Sequence, residues 1–207
     1  LVVGIQPAER FNAQFLLYKD KDLRAQPGLT ATALLGRSWV AHGEWSAGRE
    51  PTLADRAWGI KGHEISAQRF AGGLTFTTAS ELSLTVEYQA NGFALSKTQW
   101  DAAAVINPAL LAAYLTEAQR RQELPFRRGW FVFPSQHNLG IKNLDLTAFA
   151  QLNPADDSHV AWLELRYHWN VLDLALQLQD NAGEYGSIYG SIPDRRIATL
   201  LLAYHFR

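Results

Sequence analysis

The sequence predicts an all-β fold, a transmembrane antiparallel β-barrel of about ten strands with one helix in a long outer loop, and three observations predict it. The first is a two-residue alternation in which one face is almost wholly apolar. Ala161, Leu163, Leu165, Tyr167 and Trp169 oppose Val160, Trp162, Glu164, Arg166, His168 and Asn170. Leu172, Leu174, Leu176 and Leu178 then alternate with Asp173, Ala175, Gln177 and Gln179. Successive side chains of a strand point to opposite faces, so one face suits hydrocarbon and the other water. A soluble antiparallel β protein shares that period, but its solvent face is usually rich in Lys, Glu and Thr. Here the polar face mixes amides, opposite charges and aromatics, as a lumen does. The second observation is that the links between strands alternate between tight and long. The third is that no run approaches the roughly 18 apolar residues of a membrane helix, so a closed barrel is the form in which this chain would span a bilayer.

Strands are expected at 11–18, 29–35, 39–47, 63–77, 81–92, 129–136, 144–152, 159–169, 171–180 and 195–206. In the first, Phe11, Ala13, Phe15 and Leu17 oppose Asn12, Gln14, Leu16 and Tyr18. The second lies between Gly28 and the tight link Gly36-Arg37-Ser38. In the third, Trp39, Ala41, Gly43 and Trp45 oppose Val40, His42, Glu44 and Ser46. The fourth runs from a long link ending at Gly62 to the tight link Thr78-Ala79-Ser80. In the fifth, Leu82, Leu84, Val86, Tyr88 and Ala90 oppose Ser83, Thr85, Glu87, Gln89 and Asn91. The sixth is the least patterned: Trp130-Phe131-Val132-Phe133 has no polar face, and Pro134 removes a ladder donor. In the seventh, Leu144, Leu146, Ala148, Ala150 and Leu152 oppose Asp145, Thr147, Phe149 and Gln151. The next two carry the rows described first, joined tightly at Asn170, and the last ends in Leu200, Leu202, Tyr204 and Phe206.

Long links fall at 19–28, 48–62, 93–128, 153–158 and 181–194. In such barrels short turns lie on the periplasmic side and long loops outside, which for ten strands puts both termini on the periplasmic side. Trp39, Trp45, Tyr88, Tyr167 and Trp169 stand near strand ends on the apolar face, where amphipathic rings suit the headgroup level. Residues 1–207 read as one barrel domain, or as the C-terminal part of a larger barrel.

The formal net charge is −1, so nothing draws the chain to nucleic acid. Cysteine is absent, which excludes disulfides and thiolate metal sites, and the six His are scattered without a ligand motif. No metal or cofactor is expected. Gly183 to Gly190 joins two strands rather than a strand to a helix, which disfavours a phosphate cradle. Tyr185, Ile188 and Tyr189 of that loop offer a surface patch for a ligand or partner.

The final apolar row, with Tyr204 and Phe206 as its aromatic-x-aromatic end, resembles the C-terminal strand signal of Gram-negative outer-membrane β-barrel proteins. The resemblance implies residence in the bacterial outer membrane, with outer-membrane lipid and the barrel-assembly machinery as partners. Asp157-Ser158-His159 resembles the Asp-x-His pair of the omptin proteases, ten-stranded barrels that activate water in their outer loops. That resemblance implies an acidic partner in loop 48–62, which here holds Glu50 and Asp55. Asp20-Lys21-Asp22 has an Asp-x-Asp spacing but lies in the first loop.

Two groups of residues carry the functional expectation. His42, Glu44, Arg69, Glu87, Glu164, Arg166, His168 and Asp173 are expected to face the lumen, where inward charges set ion preference in a pore or satisfy one another in a closed barrel. In the longest loop, Asn107-Pro108 reads as a helix start, with Leu110, Leu111, Tyr114 and Leu115 on one helical face and Arg120 and Arg121 near the end. This helix is expected to gate or plug the mouth, or to pack as a lid on neighbouring loops. The expected function is a porin-like pore or an export or uptake channel for small polar solutes or a polymer, without catalysis. The alternatives are a closed ten-stranded barrel whose outer loops bind surfaces or act as an omptin-like protease, and a soluble antiparallel β protein.

Overall fold

The structure, a computed structural model, describes residues 1–19 and 24–206. Eleven strands form one antiparallel sheet in chain order. They are β1 (Val2–Ala8), β2 (Phe11–Tyr18), β3 (Gln26–Leu35), β4 (Trp39–Glu50), β5 (Ile65–Thr77), β6 (Leu82–Asn91), β7 (Arg128–Gln136), β8 (Leu144–Asn153), β9 (Ser158–His168), β10 (Leu172–Ala182) and β11 (Arg196–Tyr204). Among the described residues three helices interrupt them: α1 (Leu53–Trp58), α2 (Lys97–Ile106) and α3 (Pro108–Arg121).

Three expectations change. Among the described residues the strands number eleven, because Val2, Val3, Gly4 and Ile5 pair with Leu16, Phe15, Gln14 and Ala13. β1 lacks a visible alternation, since Val2 and Val3 are both apolar. The loop before β7 holds two helices rather than one: Asn107 ends α2, and its side chain accepts from the Ala109 amide to start α3, with Pro108 at the first helical position. Finally, the order ends at β1 and β11, and among the described residues no ladder closes the sheet into a barrel.

The chain divides into two compact units, one of Leu1–Gly73 with Tyr88–Gly129 and one of Leu74–Glu87 with Trp130–Arg207. In the first, the β2–β3–β4 register puts Asn12, Thr32 and His42 in one row and Gln14, Thr30 and Glu44 in the next. Phe15, Leu29 and Trp45 share the opposite face. The apolar core of this unit gathers around its helices: Leu53, Phe93, Leu95, Trp100, Leu111, Tyr114, Ala118 and Phe126 are buried. Capping boxes start α1 at Thr52 with Asp55 and α2 at Ser96 with Gln99, satisfying amides that a helix end leaves open.

In the second unit, Leu144, Tyr167, Leu174 and Leu202 belong to the apolar face, as do Leu146, Leu165, Leu176 and Leu200. On β6, Leu82, Leu84 and Val86 are exposed while Ser83, Thr85 and Glu87 between them are half-buried. β10 repeats this inversion: Leu176 and Leu178 are 39% and 43% exposed, whereas Ala175 and Asn181 of the polar face are 1% and 2% exposed. The long loop before β11 folds back on the turn before β9, with the Ile188 amide donating to Asp156 Oδ2 at 2.9 Å. A Cβ at Gly190 would run into the Glu184 carbonyl, which is why glycine stands there. Ile188 is buried, so the expected surface patch of Tyr185, Ile188 and Tyr189 reduces in the main to the exposed Tyr185.

Candidate functional site on the polar face

In the second unit, the hairpin registers place complementary polar groups side by side. Asp145 pairs with Arg166, Thr147 with Glu164, Glu164 with Gln177 and His168 with Asp173. Arg166 Nε and Nη2 donate to the two Glu164 oxygens at 2.8 and 3.0 Å, and Gln177 Nε2 donates to Glu164 Oε2 at 2.6 Å. Arg166 Nη1 also stands 3.8 Å from Asp173. A two-pronged guanidinium–carboxylate contact fixes both side chains more firmly than a single bond would.

Toward the tight turns, histidines and aspartates alternate in a chain that crosses the strands. His137 Nδ1 lies 2.8 Å from Asp145 Oδ2, and His168 Nε2 is 3.5 Å from that same oxygen. His168 Nδ1 lies 3.0 Å from Asp173 Oδ1, and His205 Nε2 is 3.3 Å from Asp173 Oδ2. Among the described residues no group of three or more His, Asp or Glu is arranged to hold a metal ion. The chain is a set of carboxylate–imidazole contacts.

The same polar face carries an aromatic strip. Phe149 and Trp162 are cross-strand partners with centroids 5.6 Å apart and planes 23° apart. Phe131 lies 6.1 Å from Phe149 and 6.2 Å from Phe133, with planes at 29° and 17°. All four rings are half-buried. Four near-parallel rings thus run over β7, β8 and β9 beside Gln151, Gln179 and the Glu164–Arg166 pair.

The eight residues expected in the lumen fall in both units. Glu164, Arg166, His168 and Asp173 form the network above, and Glu87 is half-buried on β6 with Ser83 and Thr85. In the first unit, His42 is half-buried opposite Thr32 and Glu44 is exposed opposite Thr30. Arg69 is engaged: it contacts Glu50 at 2.7 Å and Glu123 at 2.9 Å, and its guanidinium lies 4.3 Å over the Phe93 ring. Through Glu123 it ties the segment after α3 to β5. Sequence reasoning missed His137, Asp145 and His205 as partners of this chemistry. The available signal was the position of Asp145 on the polar face, next to Arg166 once the strands are paired.

Of the expected helical stripe, Leu111 and Tyr114 are buried, and Leu110 and Leu115 are half-buried. The Tyr114 hydroxyl accepts from the Leu95 amide at 3.0 Å and donates to the Pro125 carbonyl at 2.8 Å. Burial pushes that hydroxyl well above the ordinary tyrosine range. Trp58 Nε1 donates to the Leu110 carbonyl at 3.0 Å, so α3 packs on the loop elements beside it.

A cavity of about 390 Å³ opens in this loop layer, lined by Trp58, Phe93, Ala103 and Leu110 with Asp55 and His63. His63 Nδ1 is 2.8 Å from Asp55 Oδ2. Burial pushes the Asp55 carboxyl up, but hydrogen bonds from Thr52 and His63 outweigh it and hold the group below its ordinary value. Glu50 accepts from Arg56 at 2.9 Å.

Asp157 sits in a left-handed turn and His159 pairs with Leu152 of the apolar face. Asp20 and Asp22 lie outside the described residues. Trp39 and Trp169 are exposed, and Trp169 meets Tyr167 at 4.5 Å. Tyr204 and Phe206 are exposed, with ring centroids 4.9 Å apart. No family model, curated protein or solved structure matches the chain.

Proposed function

We propose that this chain is a length of outer-membrane β-barrel wall whose polar face lines an aqueous path for small polar solutes or a polymer. The observation that carries the reading is the inverted burial on β6 and β10: Leu82, Leu84, Val86, Leu176 and Leu178 are exposed, while Ser83, Thr85 and Glu87 are half-buried and Ala175 and Asn181 buried. In water such a surface would cost roughly 25 cal/mol per Å² of apolar area, and in hydrocarbon it costs nothing. A soluble sheet would bury those rows in a core. Exposed Trp39, Trp169 and Tyr204 suit the interfacial level, and residence in the outer membrane rests on the resemblance of the final strand. Closing the wall requires partners for the β1 and β11 edges, either each other or further strands, since open edges are not tolerated in hydrocarbon.

The test is single-channel conductance of the full chain refolded into planar bilayers, with a heat-modifiability gel to establish folding. Steady conductance is expected, and Arg166→Glu is expected to shift the reversal potential toward cation preference. A folded chain without conductance would overturn the pore reading. The second reading, binding by the outer loops, draws on the cavity that holds Asp55 and His63, and that outcome would move the assignment there.

A further inference from the structure

We infer that the strip formed by Phe131, Phe133, Phe149 and Trp162 is a binding track for a neutral linear oligosaccharide. The inference rests on the reading of the polar face as the wall of an aqueous path, and it names the class of solute that path takes.

An aromatic cluster is ordinary in a core or on a lipid-facing row, but these rings stand on the face that carries Thr147, Gln151, Glu164 and Arg166. Near-parallel planes at 17° to 29° and centroid spacings of 5.6 to 6.2 Å make one continuous apolar strip. Cross-strand pairing of rings stabilises a sheet by itself, yet it needs two rings and not a run of four over three strands. A pyranose ring has an apolar face of C–H groups and a rim of hydroxyls. It therefore suits an aromatic surface flanked by hydrogen-bonding groups, and one hexose unit is comparable in length to the spacing of the rings.

The flanks narrow the class further. Gln151, Gln177 and Gln179 flank it with amides whose nitrogens donate to the Trp130 carbonyl, Glu164 Oε2 and Asn181 Oδ1 and whose carbonyl oxygens can accept from a hydroxyl. Glu164 and Arg166 neutralise each other at 2.8 Å, so the charges nearest the strip cancel. An anionic or cationic polymer gains nothing from such a pair, whereas neutral hydroxyls find donors and acceptors on both. The rings being half-buried leaves surface for a ligand to stack on.

The test is isothermal titration of maltohexaose and of cellohexaose into the full chain in detergent micelles, run beside the conductance measurement. At least one hexasaccharide is expected to bind. Phe149→Ala and Trp162→Ala are each expected to weaken binding about tenfold, Trp162→Phe to stay within about threefold, and Trp130→Ala, on the apolar face, to change nothing. Should the alanine variants not fold, Gln177→Ala, which removes a flanking amide and no ring, is expected to weaken binding about threefold. Failure of both sugars to bind folded chain overturns the inference, as do folded variants that bind like the parent. Conductance without sugar binding sinks this inference and leaves the pore standing; sugar binding without conductance does the reverse.

Discussion

His168 stands between two aspartates, its Nδ1 3.0 Å from Asp173 Oδ1 and its Nε2 3.5 Å from Asp145 Oδ2. His168 thus meets a carboxylate through each of its two ring nitrogens. Each aspartate also has a second histidine, His137 for Asp145 and His205 for Asp173. Loss of His168 therefore leaves no carboxylate stranded. His168→Ala is expected to destabilise by only about 1 kcal/mol, because the ring is partly exposed and the contacts are screened. Urea unfolding of micelle-bound protein measures it, and a cost above about 3 kcal/mol would instead indicate a single desolvated network.

The exposed leucine row makes a directional prediction. If the chain is a membrane wall as proposed, Leu176→Arg is expected to destabilise by about 2–4 kcal/mol in a bilayer, while Gln177→Arg one position along, on the polar face, costs little. Unfolding from phospholipid vesicles compares the two, and equal costs would contradict the assignment of faces.

Period-two alternation carried most of the fold from the sequence. Leu172 to Leu178 and Leu82 to Val86 read correctly because every second residue is apolar without interruption. β1 was not legible: its residues are held by ladder bonds to β2, and Val2-Val3 shows no period of its own. α2 was missed because Trp100 and Ala103 are its buried residues, too few for a stripe, and its start is set by the Ser96–Gln99 box. The candidate site was half legible. Glu164, Arg166, His168 and Asp173 follow from alternation along adjacent strands, whereas Asp145, His137 and His205 join them only when the register between strands is known. Phe131 and Phe133 were hidden for the same reason, since a continuous apolar run has no readable face.

Tyr114 anchors the loop layer through its hydroxyl. Tyr114→Phe keeps the ring against Trp100 but leaves the Leu95 amide and the Pro125 carbonyl without their partner. The expected cost is about 1–3 kcal/mol, the penalty for buried backbone groups left open. Trypsin cleavage after Arg120 and Arg121 should accelerate in that variant; unchanged cleavage would show that the hydroxyl does not hold α3 in place.

Acid is expected to loosen α1. The Asp55 carboxyl has a lowered pKa in the folded chain, so its contribution is fully present above the ordinary aspartate value of about 3.9 and is lost as pH falls through the lower folded value. Amide exchange in α1, corrected for intrinsic rates, is expected to rise on acidification below about pH 4 in the parent and to be raised already at neutral pH in Thr52→Ala. Protection that is independent of pH would contradict the role given to this cap.

The central claim is that the two faces of the sheet meet different solvents, and the absence of cysteine makes it directly testable. Single cysteines placed in turn at Leu174, Ala175, Leu176, Gln177, Leu178 and Gln179, labelled with a fluorophore in proteoliposomes, report which quencher each position meets. Quenching by spin-labelled lipid at Leu174, Leu176 and Leu178, and by aqueous iodide at Gln177 and Gln179, is the expected alternation. Iodide quenching at every position, or a well-folded monomer in plain buffer with the leucine positions shielded, would contradict it.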